Sequence, residues 1–324
     1  MKFIIATILI LVALTVLFGW IAYTRSVDLG DKVATVIIMP GDNLGTVTDK
    51  LLAEGVIDSR VMIKYPARIL GVDKKLTPGR YDFTGRTSCR SVLAKLEAAD
   101  FVNIKLTIPE GATIWKVASI LAERMELDSA SVVALNNDSA YLAQHGLPGL
   151  EGFLFPETYF LPWGTGAREI VDEMLRMYQR QTEGIWPDTL DSLQTRYKVL
   201  KIASIIEAET GRIDERTMVS SVYYNRLRKG MKLDADPTVI YGLGGLDRPL
   251  WHKDLRRDTP YNTYMRKGLP PTPINSPGLA SIKAAISPAA SDYFYFVADE
   301  NGGHRFSRTN AEHNRAIREI RSSN

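Results

Sequence analysis

The sequence predicts an α+β protein in three parts: a single amino-terminal transmembrane helix, a small domain, and a larger mixed α+β domain. Three observations predict this. An uncharged apolar run opens the chain at residues 3–24. Short β-branched runs then alternate with amphipathic helical stretches. The second half gathers tyrosine, proline and glycine into stiff, irregular loops. A length of 324 residues leaves room for about two domains beyond an anchor. The expected divisions are residues 1–25, 26–104 and 105–324.

The anchor comes first. Residues 3–24, about 22 positions rich in Ile, Leu, Val and Ala, cover the roughly 30 Å core of a bilayer at 1.5 Å per residue. Trp20 and Tyr23 lie near its far end, where aromatic rings favour the interface. A cleaved signal peptide is the competing reading. The run is long for one, however, and no clear Ala-x-Ala site follows it. Lys2 and Arg25 nearly cancel as orienting charges, so the short amino-terminal tail decides, and the remainder is expected outside the cytoplasm.

Residues 26–32 form a polar linker. Residues 33–39 read as a strand that ends at Pro40-Gly41, and the helix that follows carries Leu44, Val47, Leu51 and Leu52 on one face. Gly55 is placed to cap its end. The same pattern returns later. Gly41, Leu44, Val47, Leu51, Ile57, Asp58 and Ser59 align with Gly111, Ile114, Val117, Leu121, Leu127, Asp128 and Ser129, and each copy follows a strand-like run and a proline. Between them, residues 75–83 read as a turn into a strand and residues 91–99 as a helix.

Further helices are expected over residues 168–181, 190–209 (one or two) and 216–228. Residues 225–242 place polar groups at a helix end and before a strand-like run. Residues 258–278 form a Pro-, Tyr- and Asn-rich loop, residues 281–286 a short helix, residues 293–307 a hairpin turning at Asn301-Gly302-Gly303, and residues 310–321 a closing helix.

Composition removes several function classes. The net charge is +3 with no basic stripe, so a nucleic-acid binder is not expected. Cys89 is the one cysteine, so no internal disulfide forms. The four histidines are scattered without metal-ligand spacing, and no metal or cofactor is expected. No nucleophile elbow, phosphate loop or dinucleotide fingerprint is present.

What remains is carboxylates, amides and aromatic rings, a set suited to carbohydrate. One stretch concentrates the interest: Ala203-Ser204-Ile205-Ile206-Glu207-Ala208-Glu209-Thr210, within residues 201–211, with no basic residue after Lys201 until Arg212. A carboxyl kept from water holds its proton near neutrality, as a donor to a glycosidic oxygen must. A solvated helix face is the plainer reading of a Glu in such a run. Periodicity favours Glu209, which continues the Ile202-Ile206 stripe, whereas Glu207 continues Leu200, Ala203 and Ser204. Asp236 before Pro237 is equally readable as a helix cap or as a substrate-groove group.

That stretch resembles the endolytic murein transglycosylase family, also called YceG-like or MltG. So do Asn225-Arg226-Leu227, Met231-Lys232-Leu233, Asp236-Pro237-Thr238-Val239-Ile240-Tyr241-Gly242, Tyr261-Asn262-Thr263-Tyr264, Gly268-Leu269-Pro270-Pro271, Tyr295-Phe296-Val297-Ala298 and Glu151-Gly152-Phe153-Leu154-Phe155-Pro156-Glu157-Thr158-Tyr159. The likeness runs from residue 33 to about 314. It implies a membrane-anchored lytic transglycosylase of the inner membrane, facing the periplasm and cutting within peptidoglycan strands, with a small LysM-like domain before the catalytic one. The family's catalytic carboxylate falls on Glu207. Asn225, Asp236, Tyr261, Asn262 and Tyr264 are groove candidates by chemistry and motif membership. Peptidoglycan strands are the implied partner, and peptidoglycan synthases are candidate associates. Two alternatives stay open: a hydrolase pairing Glu207 with Glu157 or Asp236, and a non-catalytic wall-binding scaffold.

Overall fold

The computed structural model describes residues 2–323, which divide into two compact units: residues 2–105 with 159–166, and residues 106–158 with 167–323. The class is mixed α+β, and among the described residues the strands form four two-stranded sheets.

In the first unit, helix α1 (Lys2–Thr24) precedes strand β1 (Ser26–Asp28). The side chains of Lys2, Phe3, Ile4, Val12, Thr15, Val16 and Ala22 lie outside the described set. Among the described residues no helix is long and apolar enough to cross a membrane. Strand β2 (Ala34–Ile38) leads to helices α2 (Leu44–Ala53) and α3 (Arg60–Ile69), then to strand β3 (Gly79–Phe83). The two strands pair antiparallel, Ala34 opposite Phe83 and Val36 opposite Tyr81. Both alternate buried and half-buried residues, as a sheet with one packed face requires. Their buried side chains meet Val47, Leu51 and Ile63 from the helices in one core. Strand β4 (Arg86–Ser88) pairs with β1, and helix α4 (Cys89–Glu97) adds Val92, Leu93 and Leu96 to that core.

Strands β5 (Asn103–Thr107) and β6 (Thr158–Pro162) pair with each other. Between them run helices α5 (Ile114–Met125), α6 (Ser129–Leu135) and α7 (Ser139–His145). Both copies of the repeated sequence pattern fold as strand, glycine turn, side-chain-capped helix and second helix. Gly41 and Gly111 turn at φ 91° and 76°, and Asn43 and Thr113 cap the next helix.

The second unit continues with helices α8 (Ala167–Thr182), α9 (Leu193–Glu209), α10 (Arg216–Arg228), α11 (Asp236–Gly242) and α12 (Leu279–Ile286). The hairpin β7 (Tyr295–Ala298) with β8 (His304–Ser307) and helix α13 (Asn310–Ser323) close the chain. Helix α9 is buried at Val199, Leu200, Ile202, Ala203, Ser204, Ile205 and Ile206, nearly all around its axis, and packs against α10, α11 and α12. Where a strand-like run is expected in this part of the chain, residues Asp236–Gly242 form helix α11. Pro237 pre-sets the first helical turn, and Thr238 Oγ1 donates to the Ala235 carbonyl at 2.7 Å; these outweigh the β preference of Val239 and Ile240.

Candidate active site

The last turn of α9 presents Glu207, whose side chain is 5% exposed. Three segments converge on it. The Gly278 N–H, at the start of α12, donates to Glu207 Oε2 at 2.8 Å. Arg216 Nη2, at the start of α10, donates to Oε1 at 3.1 Å. Gly111, in the turn before α5, lies so close that a Cβ there would sit 3.7 Å from Glu207 Cγ. The same Arg216 nitrogen lies 3.5 Å from Glu110 Oε2, so one guanidinium serves two carboxylates. The Glu207 carboxyl is pushed above its ordinary range. Burial is the main cause; the Gly278 hydrogen bond and Arg216 oppose it, and the like charge of Glu110 adds to it. Arg216 is itself buried, and its Nε and Nη1 make no hydrogen bond among the described residues.

The expectation that no cation accompanies this carboxylate does not hold. The chain reverses through residues 213–215 and returns Arg216 to it, a proximity that local sequence does not show.

The loop facing α9 is stapled to it one turn earlier. Ser204 Oγ accepts the Ile274 N–H at 3.0 Å, and Asn275 Nδ2 donates to the Ser204 carbonyl at 2.8 Å. Pro273 packs where Gly152 has no side chain; a Cβ there would lie 2.7 Å away. Gly278 is therefore held on a rigid segment when it meets Glu207.

Glu209 and Glu151 of this unit are further carboxyls that burial raises. Glu209 accepts the Tyr223 hydroxyl at 2.8 Å and is pushed up to about 7, chiefly by burial. It borders a separate cavity of about 390 Å³ with Asp236, Tyr264 and Arg226. Glu151 accepts the Ile114 N–H at 3.2 Å and the Tyr241 hydroxyl at 2.9 Å, and burial raises it to about 7.

Comparison with known proteins bears on what these carboxyls serve. The model of the YceG-like family matches residues 36–319. A Bacillus subtilis protein named endolytic murein transglycosylase is 31% identical over 92% of this chain and 88% of its own length. The chain belongs to the YceG-like family. A Streptococcus pneumoniae protein of the same name is 27% identical over 98% of this chain and 65% of that longer protein. The crystal structure of a yceG-like protein from Listeria monocytogenes superposes with a TM-score of 0.61 at 31% identity, over 89% of this chain and all of that one.

In this YceG-like chain the groove candidates fall in different places. Asn225 is buried, and its amide donates to the Ser291 and Tyr293 carbonyls, tying α10 to the approach of β7. Asn262 is buried, donating to Leu255 and Arg257 and accepting from Tyr264 N–H. The Tyr264 hydroxyl donates to Asp236 at 2.6 Å, and both border the cavity of Glu209. Tyr261 bonds Thr272 at 2.9 Å and packs on Tyr241. Glu157 accepts the N–H of its neighbour Thr158. None of these makes a described hydrogen bond or ion pair with Glu207. Glu110, Arg216 and Gly278 do surround it, and local reading missed them. The one signal was in the repeat: the second copy inserts Glu110 between proline and glycine, where the first has Pro40-Gly41 alone.

Proposed function

We propose that this chain is a lytic transglycosylase of peptidoglycan, with Glu207 as general acid and then base. The class rests on family membership and on the name its relatives carry. The residue assignment rests on one observation: Glu207 is a nearly enclosed carboxyl, raised by burial, yet held in place by Gly278 and Arg216. A carboxyl raised in this way keeps its proton to higher pH than an ordinary one, as a donor must, and the groups that hold its charged form let it take a proton back.

In the reaction, protonated Glu207 gives its proton to the oxygen joining N-acetylmuramic acid to N-acetylglucosamine. The C1–O4 bond breaks as positive charge develops on the muramic acid ring. Ionised Glu207 then takes the proton of the 6-hydroxyl of that same ring. The 6-oxygen forms the new bond to C1, which leaves a 1,6-anhydro end and restores the acid. The attacking group is carried by the substrate, so its proximity is intrinsic. No water is activated and no second carboxylate is demanded.

A second reading has its own support. Arg216 lies between Glu207 and Glu110, so two carboxylates stand near one another, as in hydrolases. Mass spectrometry of the products decides. Transglycosylation leaves anhydro ends, and hydrolysis leaves reducing ends one water heavier.

The location belongs to the same proposal. Residues 3–24 carry no charge, and Leu9, Ile10, Leu14 and Phe18 of α1 are each more than half exposed. Such an apolar surface calls for lipid, and we place the chain in the inner membrane with its bulk in the periplasm. The strand–helix–helix–strand arrangement of residues 34–83 supports a LysM-like wall-binding module, with residues 105–324 as the catalytic part. Peptidoglycan synthases are candidate associates.

A further inference from the structure

We propose that the cavity lined by Trp115, Tyr241 and Asn275 is a subsite for the 2-acetamido group of an N-acetylated sugar, with the sugar ring resting on Trp115. It rests on the glycan-cleaving reading above and names a determinant of that site's specificity. The cavity holds about 340 Å³, within the range of small-ligand sites. It adjoins Glu207: Gly111 and Ala208 both line it, one against the Glu207 side chain and the other next to it in sequence.

The shelf is exposed yet fixed. Trp115 is 41% exposed, with its ring centre 4.9 Å from that of Tyr241, which in turn lies 4.9 Å from that of Tyr261. Glu151 locks both supports at once. It accepts the N–H of Ile114, the residue before Trp115, and the hydroxyl of Tyr241. An exposed indole on rigid support offers an apolar face to the C–H face of a sugar ring. Gly244 and Gly245 also line the cavity; they hold φ of 81° and 93° and present no side chain, and nothing lies within 4 Å of where a Cβ would be.

The remaining wall matches an acetamido group. Pro237, Ile240 and Ile274 supply apolar surface for its methyl. Asn275 is 3% exposed and spends its Nδ2 on the Ser204 carbonyl, whereas its Oδ1 accepts no hydrogen bond among the described residues. A buried amide oxygen without a donor is disfavoured, and an acetamido N–H satisfies it. A 2-hydroxyl in the same position leaves the apolar wall uncovered.

The test is calorimetric titration of the full chain carrying Glu207→Gln, which removes cleavage, with chitohexaose and with cellohexaose, which lacks the acetamido groups. Chitohexaose is expected to bind about tenfold or more tightly than cellohexaose, the scale on which a pocket distinguishes an added apolar group. Adding Trp115→Ala, an exposed position, is expected to weaken chitohexaose binding about tenfold and to narrow the ratio. Asn275→Ala, checked for folding by its melting temperature, narrows the ratio in the same way. Equal affinity for the two sugars, undetectable chitohexaose binding, or a preference that survives Trp115→Ala overturns the proposal. Cleavage is measured separately on wild type, so the subsite and the proposed chemistry can each fail without the other.

Discussion

Glu207 sits between opposing influences, and each can be removed in turn. Burial and the Glu110 charge raise its carboxyl, whereas Gly278 and Arg216 lower it. The first step needs the protonated form, so activity falls as pH rises through the pKa of Glu207. In Glu110→Gln one raising influence is gone and Arg216 is left to Glu207. The alkaline limb of the pH–rate profile should then move to lower pH, with the rate on the plateau little changed; a uniform loss at every pH contradicts this account. Glu207→Gln itself should lose about 10²–10⁴-fold in activity, the span of a lost acid–base group, while its circular dichroism spectrum stays that of wild type. The interest of this stretch was legible in the sequence because acids in an apolar run stand out, and the choice of Glu207 within it came from the family resemblance. The companions of Glu207 were not legible. Arg216 and Gly278 reach it only after the chain turns back, and the apolar stripe of α9 pointed to Glu209 instead.

At the scale of elements, the site depends on how the loop at 273–278 is fastened to α9. Ser204 does this with one hydroxyl, which accepts from Ile274 N–H and donates to the Lys201 carbonyl. Ser204→Ala leaves a buried N–H without an acceptor and should cost about 1–3 kcal/mol, read from denaturant midpoints. It should also lower activity, because Gly278 moves with that loop; unchanged stability and activity would show that the staple is dispensable. Gly278→Ala acts on the same junction, since a Cβ there meets the Glu110 carboxyl and displaces it from its place beside Arg216. Most elements were readable from local chemistry: the glycine turns at Gly41 and Gly111, the hairpin at residues 295–307, and the apolar faces of α2 and α5. Two that were not have local sequences that contradict their state. Helix α3 contains Pro66, which reads as a break, and α11 is built of β-preferring Val239, Ile240 and Tyr241.

For the whole molecule, the buried acids make stability depend on pH. Glu151 and Glu209 are raised from an ordinary 4.5 to about 7. Between those values the folded chain keeps protons that the unfolded chain has released, so stability falls as pH rises through the window and levels above about 7. The melting temperature should therefore be higher at pH 5 than at pH 8, and Glu151→Gln with Glu209→Gln should flatten that dependence. The full chain also joins the features that a wall-directed enzyme needs: an apolar leading helix, a small strand–helix–helix–strand unit, and a larger unit holding an enclosed acid. The most direct test of the central claim is mass spectrometry of the fragments that the full chain releases from glycan strands, run for wild type, Glu207→Gln and Glu209→Gln. The account predicts 1,6-anhydro ends from wild type and from Glu209→Gln, and none from Glu207→Gln. Anhydro ends from Glu207→Gln at the wild-type rate would contradict it.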